Sequence, residues 1–483
     1  MNRAALITCL FFCLLPVLAP PDFPTQDGPS HLYNTAILRD YASVPLYQLY
    51  YERRLTLAGN VLTQPLLLLL MSVMPPEAAS RTISAIVVAA FPLALAWLLS
   101  AYTRNSAPFL LFGSICALNF FVQMGFWNFC FGVVLLLFAL GWAARGRAPW
   151  GIAAFSLALY LSHPLAWAVF GLYCGIRALE SRRFLPLLAH APGALLVVIY
   201  MTAASGPPKP VDPSWGGRLW PFYSLSFLHT RTNFAETIWA LCVLAVFAAL
   251  LAATRRRPDA LVWTAAGCVA VGLLIQQRMS WDAYFTSRMA LFAFLLLLAW
   301  CAARQWPPAA QRALSALALV LLISGSLIRL QLCRQWSAEL ASYTQVFSAI
   351  QPGSTVLAVR LEEVKRHFSP TAHALGLLAP MPFVDLRNYE AASDHFLTRF
   401  RSGRSPFPAL GNQMELERPM PRMDIGRYER ETGGRVDYLL FEGPEATETR
   451  IYASELSRFR LVRSRPGARL YFSAGVHPSG AVN

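Results

Sequence analysis

The sequence Pro24-Thr25-Gln26-Asp27-Gly28-Pro29-Ser30-His31-Leu32-Tyr33-Asn34 is the most polar stretch in an otherwise apolar chain. Asp27 and Gly28 predict a turn, and the proline that follows predicts a helix running to about residue 41. Asp27 then lies at a helix start, where backbone N–H groups stabilise a carboxylate, with His31 one turn along. We expect Asp27 to be ionised and directed out of the fold. Two interpretations are open: Asp27 is a catalytic base, or Asp27 is only an N-cap and His31 a residue of the polar face.

The composition identifies a polytopic membrane protein. The 483 residues are 56% hydrophobic and 14% charged, and the mean hydropathy is +0.43, which is too apolar for a soluble enzyme of this length. The net charge is +15, but many arginines lie in short connections between apolar runs, where they set orientation and do not indicate nucleic-acid binding. The nine cysteines lie in or beside apolar segments, so we expect neither a disulfide in the polar regions nor a metal site.

Apolar runs of membrane-spanning length predict about 11 to 12 membrane helices. These runs lie at 4–19, 57–74, 82–100, 107–123, 126–144, 187–204, 236–254, 259–276, 286–303 and 312–329. Between Arg147 and Arg177, Ser162-His163-Pro164 interrupts the apolar stretch, which predicts either one kinked helix or two short helices in a hairpin. We favour the hairpin, because it keeps the flanking arginines on the cytoplasmic side.

The predicted organisation is a multi-spanning membrane domain at 1–330, with a long first outer loop at 20–56, followed by a small extracytoplasmic α/β domain at 331–483. Alternation of the spans puts the first loop and this tail in the same outer compartment. The side on which the run at 82–100 begins stays open, since Arg81 and Arg104 flank its opposite ends. Within the tail we predict strands at 354–360 and 438–441, a strand pair at 459–473, and helices at 338–350 and 387–401.

Further candidate residues lie where loops meet apolar segments. The aromatic segment 205–235 carries His229 and Arg231, and is either an interfacial belt or a groove for a lipid chain and its head group. Arg288 begins an apolar helix, where it either snorkels to the interface or binds a ligand; Asp282 is the one carboxylate near it in sequence. His163, at the break in the apolar stretch, either caps a half-helix or binds a ligand.

This arrangement resembles the GT-C class of integral-membrane glycosyltransferases. The resemblance covers the whole chain in architecture, and in motif it depends on Asp27-Gly28-Pro29-Ser30-His31, which is similar to the acidic first-loop motifs of that class. Gly28 stands where many members carry a second acid. The resemblance implies that Asp27 is the catalytic base, that Arg288 contacts the donor phosphate, and that the enzyme needs no nucleotide cofactor.

The function that the resemblance implies is sugar transfer from a polyprenyl-phosphate donor to a hydroxyl acceptor, on the outer side of a bacterial inner membrane. Aromatic loops at membrane level suit a lipid-linked donor and contact with membrane lipids. Two other classes stay open. One is a transporter or flippase for a lipid-linked or anionic substrate, with Arg288 and His163 along its path; the other is an inactive scaffold that anchors the tail to partners.

Overall fold

The computed structural model describes residues 3–54, 58–203, 215–230, 233–274, 284–361, 368–392, 396–410 and 424–474. The helices are α1 (Arg3–Leu18), α2 (Gly28–Asp40), α3 (Pro45–Tyr50), α4 (Thr63–Met71), α5 (Pro76–Leu99), α6 (Ala107–Ser114), α7 (Phe120–Met124), α8 (Trp127–Ala144), α9 (Pro149–Ser162), α10 (Pro164–Ser181), α11 (Leu185–Leu188), α12 (Ala191–Ala203), α13 (Trp215–Tyr223), α14 (Phe234–Ala253), α15 (Ala260–Leu274), α16 (Phe285–Ala302), α17 (Pro308–Thr344), α18 (Phe407–Leu410), α19 (Ile425–Thr432) and α20 (Glu445–Leu456). Short 3-10 helices occupy Ile115–Leu118, Ser226–Leu228, Gln345–Ala349, Ala374–Leu378 and Glu390–Ala392. The strands are β1 (Tyr51–Arg53), β2 (Thr355–Arg360), β3 (Val384–Asp385), β4 (Thr398–Phe400), β5 (Tyr438–Glu442), β6 (Phe459–Arg465) and β7 (Ala468–Ser473).

These elements pack into two compact units. The first, called the membrane unit, comprises Met1–Phe23, Leu57–Thr63 and Arg81–Arg334. The second, called the tail unit, comprises Pro24–Thr56, Gln64–Ser80 and Gln335–Asn483. The first loop therefore packs in one unit with the tail, although residues 57–334 lie between the two in sequence.

The chain is a multi-pass membrane protein. In the described ranges, six helices are long and apolar enough to cross a bilayer: Pro76–Leu99, Ala107–Met124, Trp127–Ala144, Phe234–Ala253, Phe285–Ala302 and Pro308–Ala349. Four shorter apolar helices accompany them: Arg3–Leu18, Pro149–Ser162, Leu185–Ile199 and Ala260–Leu274. α16 is buried along almost its whole length, as expected of a helix that is apolar all round and packed among other helices.

The predicted span at 57–74 is wrong. α4 has nine residues and is about 13 Å long, against a hydrocarbon core of about 30 Å. Arg81, near the start of α5, donates hydrogen bonds to the carbonyl oxygens of Val17, at 3.2 Å, and of Pro20. The start of α5 thus lies beside the end of α1. The chain leaves the membrane after α1 and re-enters it at α5 on the same side. The run at 82–100, whose starting side was left open, therefore begins on the side where α1 ends.

The interrupted stretch forms a hairpin, as predicted. Trp167 in α10 donates its indole N–H to the hydroxyl of Ser156 in α9 at 3.1 Å. In one continuous helix these residues would be about 16 Å apart along the axis. His163 joins the two helices in an extended conformation, with φ −161° and ψ 122°.

The arginine-rich connections meet at one end of the membrane unit. Arg145, after α8, donates to the carbonyl oxygen of Trp97 in α5 at 2.7 Å. Asn105, in the connection before α6, donates a side-chain hydrogen bond to Gln311, in the first turn of α17. Arg304, after α16, donates to the last carbonyl of α14. This clustering is the pattern that the positive-inside rule expects of a cytoplasmic face.

The tail unit contains a five-stranded mixed sheet with the order β3-β2-β5-β7-β6. β2 pairs in parallel with β3 and β5, whereas β7 is antiparallel to both β5 and β6. β2 and β5 are buried throughout, as their apolar sequences predict for central strands. The strand predictions at 354–360, 438–441 and 459–473 are confirmed.

Aromatic residues of the first loop belong to the hydrophobic core beside this sheet. Tyr33, Tyr47 and Tyr51 are almost fully buried there. β1 of the first loop also pairs antiparallel with β4 of the tail, with Tyr51 opposite Phe400. The pairing requires the first loop and the tail to lie on the same side of the membrane.

Candidate active site

Helix α2 presents Asp27 and His31. It begins at Gly28, directly after Asp27, and carries Pro29 in its first turn, where the missing N–H of proline costs nothing. The spacing of four residues puts both side chains on one face. Further along the helix, Tyr33 fixes α2 to the sheet: its hydroxyl donates to the carbonyl oxygen of Phe383 at 2.7 Å and accepts the N–H of Asp385 at 2.9 Å.

The carboxylate of Asp27 points into the tail unit, so the prediction that it faces outward is wrong. Its side chain is 15% exposed, and its Oδ1 lies 3.8 Å from Nε2 of His373. The hydroxyl of Tyr389 donates to Oδ2 at 3.4 Å. Asp27 stands at the N-cap position of α2, but its carboxylate accepts no hydrogen bond from the start of that helix, so a capping contact does not account for its surroundings. Oδ1 is buried without a hydrogen-bond partner in the described part of the chain.

This environment sets the proton affinity of Asp27. Burial raises its pKa from 3.8 to about 6; the positive charge of His31 opposes the rise, and the negative charge of Glu390 adds to it. Burial, together with the positive charge of Arg387, lowers the pKa of His373 well below its ordinary value, so the imidazole beside Asp27 is neutral. Asp27 is ionised at pH 7 but holds its proton far more tightly than an exposed aspartate.

Glu390 forms the second acidic group of the site. It is fully buried, and its Oε1 lies 2.7 Å from Nδ1 of His31. A carboxylate at this distance fixes the orientation of the imidazole ring through Nδ1. The tail thus contributes a second carboxylate beside α2, through the contact of Glu390 with His31.

Two buried amides hold this part of the tail against α2. Asn34 donates to the side-chain oxygen of Asn388 at 3.0 Å, and Asn388 donates back to that of Asn34 at 2.9 Å. Asn388 immediately precedes Tyr389 and Glu390. The reciprocal pair therefore sets the register in which both residues meet Asp27 and His31.

Sequence reasoning missed Glu390, Tyr389 and His373. The helix predicted at 387–401 is wrong: the described residues there form a 3-10 turn, Glu390–Ala392, and β4, Thr398–Phe400. No spacing rule connects these residues with α2, and the one available signal was the polar triplet Asn388-Tyr389-Glu390. Within the described ranges, no three His, Cys, Asp or Glu side chains are grouped so that they could hold a metal ion.

Arg288 lies in the first turn of α16 and is 7% exposed. Its guanidinium carbon is 5.6, 4.8 and 5.0 Å from the ring centroids of Phe121, Phe126 and Phe129. Cation–π contacts of this kind stabilise the charge but supply no hydrogen-bond acceptor. Arg288 is thus enclosed in the membrane unit and does not snorkel to water. Asp282, the carboxylate closest to it in sequence, lies outside the described residues.

The two other predicted substrate-binding residues that the structure describes, His163 and His229, make contacts within the protein. His163 caps α10, accepting the N–H of Leu165 at Nδ1 over 3.3 Å, and its ring meets Phe129 edge-on, with centroids 5.2 Å apart. His229 is 3% exposed, with Nε2 3.2 Å from the carbonyl oxygen of Ser224. Arg231 lies outside the described residues. A role in substrate binding stays a prediction for all three.

The chain was compared with known protein families, curated proteins and solved structures. Neither the models of known protein families nor the curated proteins give a match. Among solved structures, ArnT from Cupriavidus metallidurans in the apo state is similar with a TM-score of 0.56 at 11% identity, over 96% of this chain and 97% of that one. The same protein bound to undecaprenyl phosphate gives a TM-score of 0.53 at 11% identity, over 98% of each chain.

A mycobacterial arabinofuranosyltransferase, AftD, in an R1389S mutant form, is also similar. Its TM-score is 0.52 at 14% identity, over 99% of this chain and 42% of that one. All three likenesses extend over nearly the whole of the present chain, including its tail. The chain therefore has the fold of the GT-C class of integral-membrane glycosyltransferases.

Proposed function

We propose that this chain is a membrane glycosyltransferase that moves a sugar from a polyprenyl-phosphate donor to an acceptor hydroxyl, with Asp27 as general base. The observation that carries the proposal is the buried carboxylate of Asp27, whose Oδ1 has no hydrogen-bond partner in the described residues and whose pKa is raised to about 6. A general base is most effective when its pKa lies near the working pH.

In the proposed reaction, Oδ1 of Asp27 removes the proton of the acceptor hydroxyl. The acceptor oxygen attacks the anomeric carbon of the donor sugar, and the bond between that carbon and the phosphate oxygen breaks. The polyprenyl phosphate leaves with the electron pair, and the configuration at the anomeric carbon is inverted. One bond forms, one breaks, and the proton stays on Asp27 until solvent removes it.

His31 and Glu390 support the base. The positive charge of His31 keeps the pKa of Asp27 from rising further above about 6, and Glu390 holds the ring of His31 through Nδ1 at 2.7 Å. Without the positive charge of His31, burial would drive Asp27 further towards its protonated form, which cannot accept a proton. His31 therefore keeps Asp27 basic.

Arg288 is proposed to stabilise the phosphate of the donor. A planar guanidinium binds phosphate through two parallel N–H···O bonds, which an ammonium group cannot make. Its setting among three phenylalanine rings suits a lipid-linked phosphate, because low polarity strengthens the attraction between the charges. The likeness to ArnT bound to undecaprenyl phosphate supports a donor of this kind.

We place the reaction on the outer face of a bacterial inner membrane. The arginine-rich connections cluster at one end of the membrane unit, and the positive-inside rule makes that end cytoplasmic. α17 begins at this end and leads into the tail. The tail and the paired first loop then lie outside.

The test is mass spectrometry of cell-envelope glycans and lipids from a strain that lacks this chain. We expect a sugar modification to disappear, and to return with the wild-type chain but not with Asp27→Asn. Asp22→Asn, which removes an exposed carboxylate five residues earlier, is the matched control and should restore the modification. An unchanged envelope in the deletion strain would contradict the transferase proposal. A fully active Asp27→Asn would contradict only the assignment of the base.

A further inference from the structure

A polar cavity of about 370 Å³ lies in the tail unit, beyond the carboxyl ends of β2 and β5. These strands are parallel, and their last residues, Arg360 and Glu442, are register partners. The end of α17, Ser369, Thr371, Gly443 and the turn between β6 and β7 complete the lining. Ligands of open sheets bind outside the carboxyl ends of parallel strands, and the volume falls within the range of about 300–1,000 Å³ that is usual for small-molecule sites.

The floor of the cavity is a charge-balanced hydrogen-bond network. Arg360 donates to Oε2 of Glu442, with Nε at 3.0 Å and Nη2 at 2.9 Å. The hydroxyl of Tyr343 donates to Oε1 at 2.6 Å, and Arg387 lies 3.8 Å from the same oxygen. Burial raises the pKa of Glu442, but the positive charges of Arg360 and Arg387 outweigh it, so the pKa lies below its ordinary value. The floor thus presents fixed donors beside a fixed acceptor.

The walls add hydroxyl groups. Ser342, Tyr343, Ser369 and Thr371 line the cavity together with Glu339. An anion would meet two carboxylates here, and an apolar molecule would leave polar groups without partners, which is costly. A neutral molecule with several hydroxyls satisfies both donors and acceptors, because each hydroxyl both donates and accepts. The chemistry of the lining is that of a sugar-binding site.

One hydrogen bond connects the lining of the cavity to the residue that precedes the candidate base. The N–H of Ser369 donates to the side-chain oxygen of Gln26 at 2.9 Å, and Gln26 directly precedes Asp27. We propose that this cavity binds a sugar unit of the acceptor, so that the acceptor is a saccharide with a neighbouring hydroxyl directed at Asp27. This inference rests on the proposed transferase function, because it takes Asp27 as the base.

Saturation-transfer NMR on the full-length protein in nanodiscs tests the site directly. The probes are methyl glycosides of glucose, galactose, mannose and arabinose, with inorganic phosphate as the anionic comparison. Ser342→Trp places a large side chain at the exposed rim of the cavity. Ala341→Trp, one residue earlier and about 100° around the helix, is the matched control on an exposed position. Thermal unfolding verifies that both variants are folded.

We expect at least one glycoside to bind the wild-type chain, binding to weaken by about tenfold or more in Ser342→Trp, and Ala341→Trp to bind as the wild type does. Asp27→Asn should also bind normally, so loss of transfer in that variant tests the catalytic proposal separately. Absence of glycoside binding, binding that Ser342→Trp leaves unchanged, or binding of phosphate alone would each overturn the sugar site.

Discussion

Replacing Asp27 by asparagine should stabilise the protein above pH 6 while abolishing transfer. In the folded state the pKa of Asp27 is about 6, against 3.8 for the free side chain. The folded protein therefore binds the proton more tightly than the unfolded chain does. The stability that this group contributes is fully present below pH 3.8 and is lost as the pH rises through about 6.

The rise from 3.8 to about 6 corresponds to about 3 kcal/mol. Asparagine resembles the protonated carboxyl group in size and can still accept the hydroxyl of Tyr389, so it avoids this cost. At roughly 2–4 °C per kcal/mol for a unit of about 150–250 residues, Tm of the tail unit should rise by about 6–12 °C at pH 8. The gain should shrink steadily as the pH falls from 6 towards 4.

The assay is thermal unfolding of wild-type, Asp27→Asn and Asp22→Asn protein in detergent between pH 4.5 and pH 8. Asp22 is exposed, so its variant should follow the wild type at every pH. A helix N-cap predicts the opposite sign, a loss of about 1 kcal/mol. A lower Tm for Asp27→Asn at pH 8, or a gain that does not depend on pH, would refute the interpretation of Asp27 as a buried, ionised base.

Three further predictions concern other parts of the chain. Asn388→Ala leaves its partner amide in α2 buried without its bond, so it should destabilise the tail unit by about 1–3 kcal/mol and reduce transfer at temperatures where the protein is still folded; unaltered stability and activity would contradict the positioning role. Arg288→Lys should weaken binding of a polyprenyl-phosphate donor to the purified protein by about tenfold or more, because lysine cannot form the bidentate contact, whereas the exposed control Arg312→Lys should bind normally. Cysteines introduced at Ser43 and Ser464 of a chain cleared of its own nine cysteines should both react with a membrane-impermeant reagent from outside; labelling from opposite sides would contradict the strand pairing of the first loop with the tail.

Local sequence signals predicted the elements that local physics controls. The turn at Asp27 and Gly28, followed by Pro29, predicted α2 almost to the residue. Short apolar runs bounded by polar turns predicted β2, β5 and the final strand pair. The break at Ser162-His163-Pro164 predicted either a kinked helix or a hairpin, because proline cannot continue the hydrogen-bond ladder of a helix, and the flanking arginines favoured the hairpin that the structure shows.

The predictions failed for segments whose secondary structure depends on contacts with distant parts of the chain. The run at 57–74 is apolar enough to cross a bilayer, yet its helix, Thr63–Met71, is too short to do so. Hydropathy measures how far a segment avoids water and does not distinguish burial against protein from burial in lipid. The run at 387–401 failed for a related reason: its residues are fixed by Asn34 and by β1, both more than 340 residues earlier.

The sequence by itself determined that this is a membrane protein with arginine-rich connections, a polar first loop and a helix that begins directly after Asp27. Those properties follow from transfer free energies, turn chemistry and spacing, which act over a few residues. Only the tertiary structure decided the proton affinity of Asp27. Its proton affinity depends on burial and on the charges of His31 and Glu390, and Coulomb interactions depend on distance in space and not on separation along the chain. Glu390 lies more than 360 residues from Asp27 in sequence, so its negative charge raises the pKa of Asp27 only once the first loop has packed against the tail.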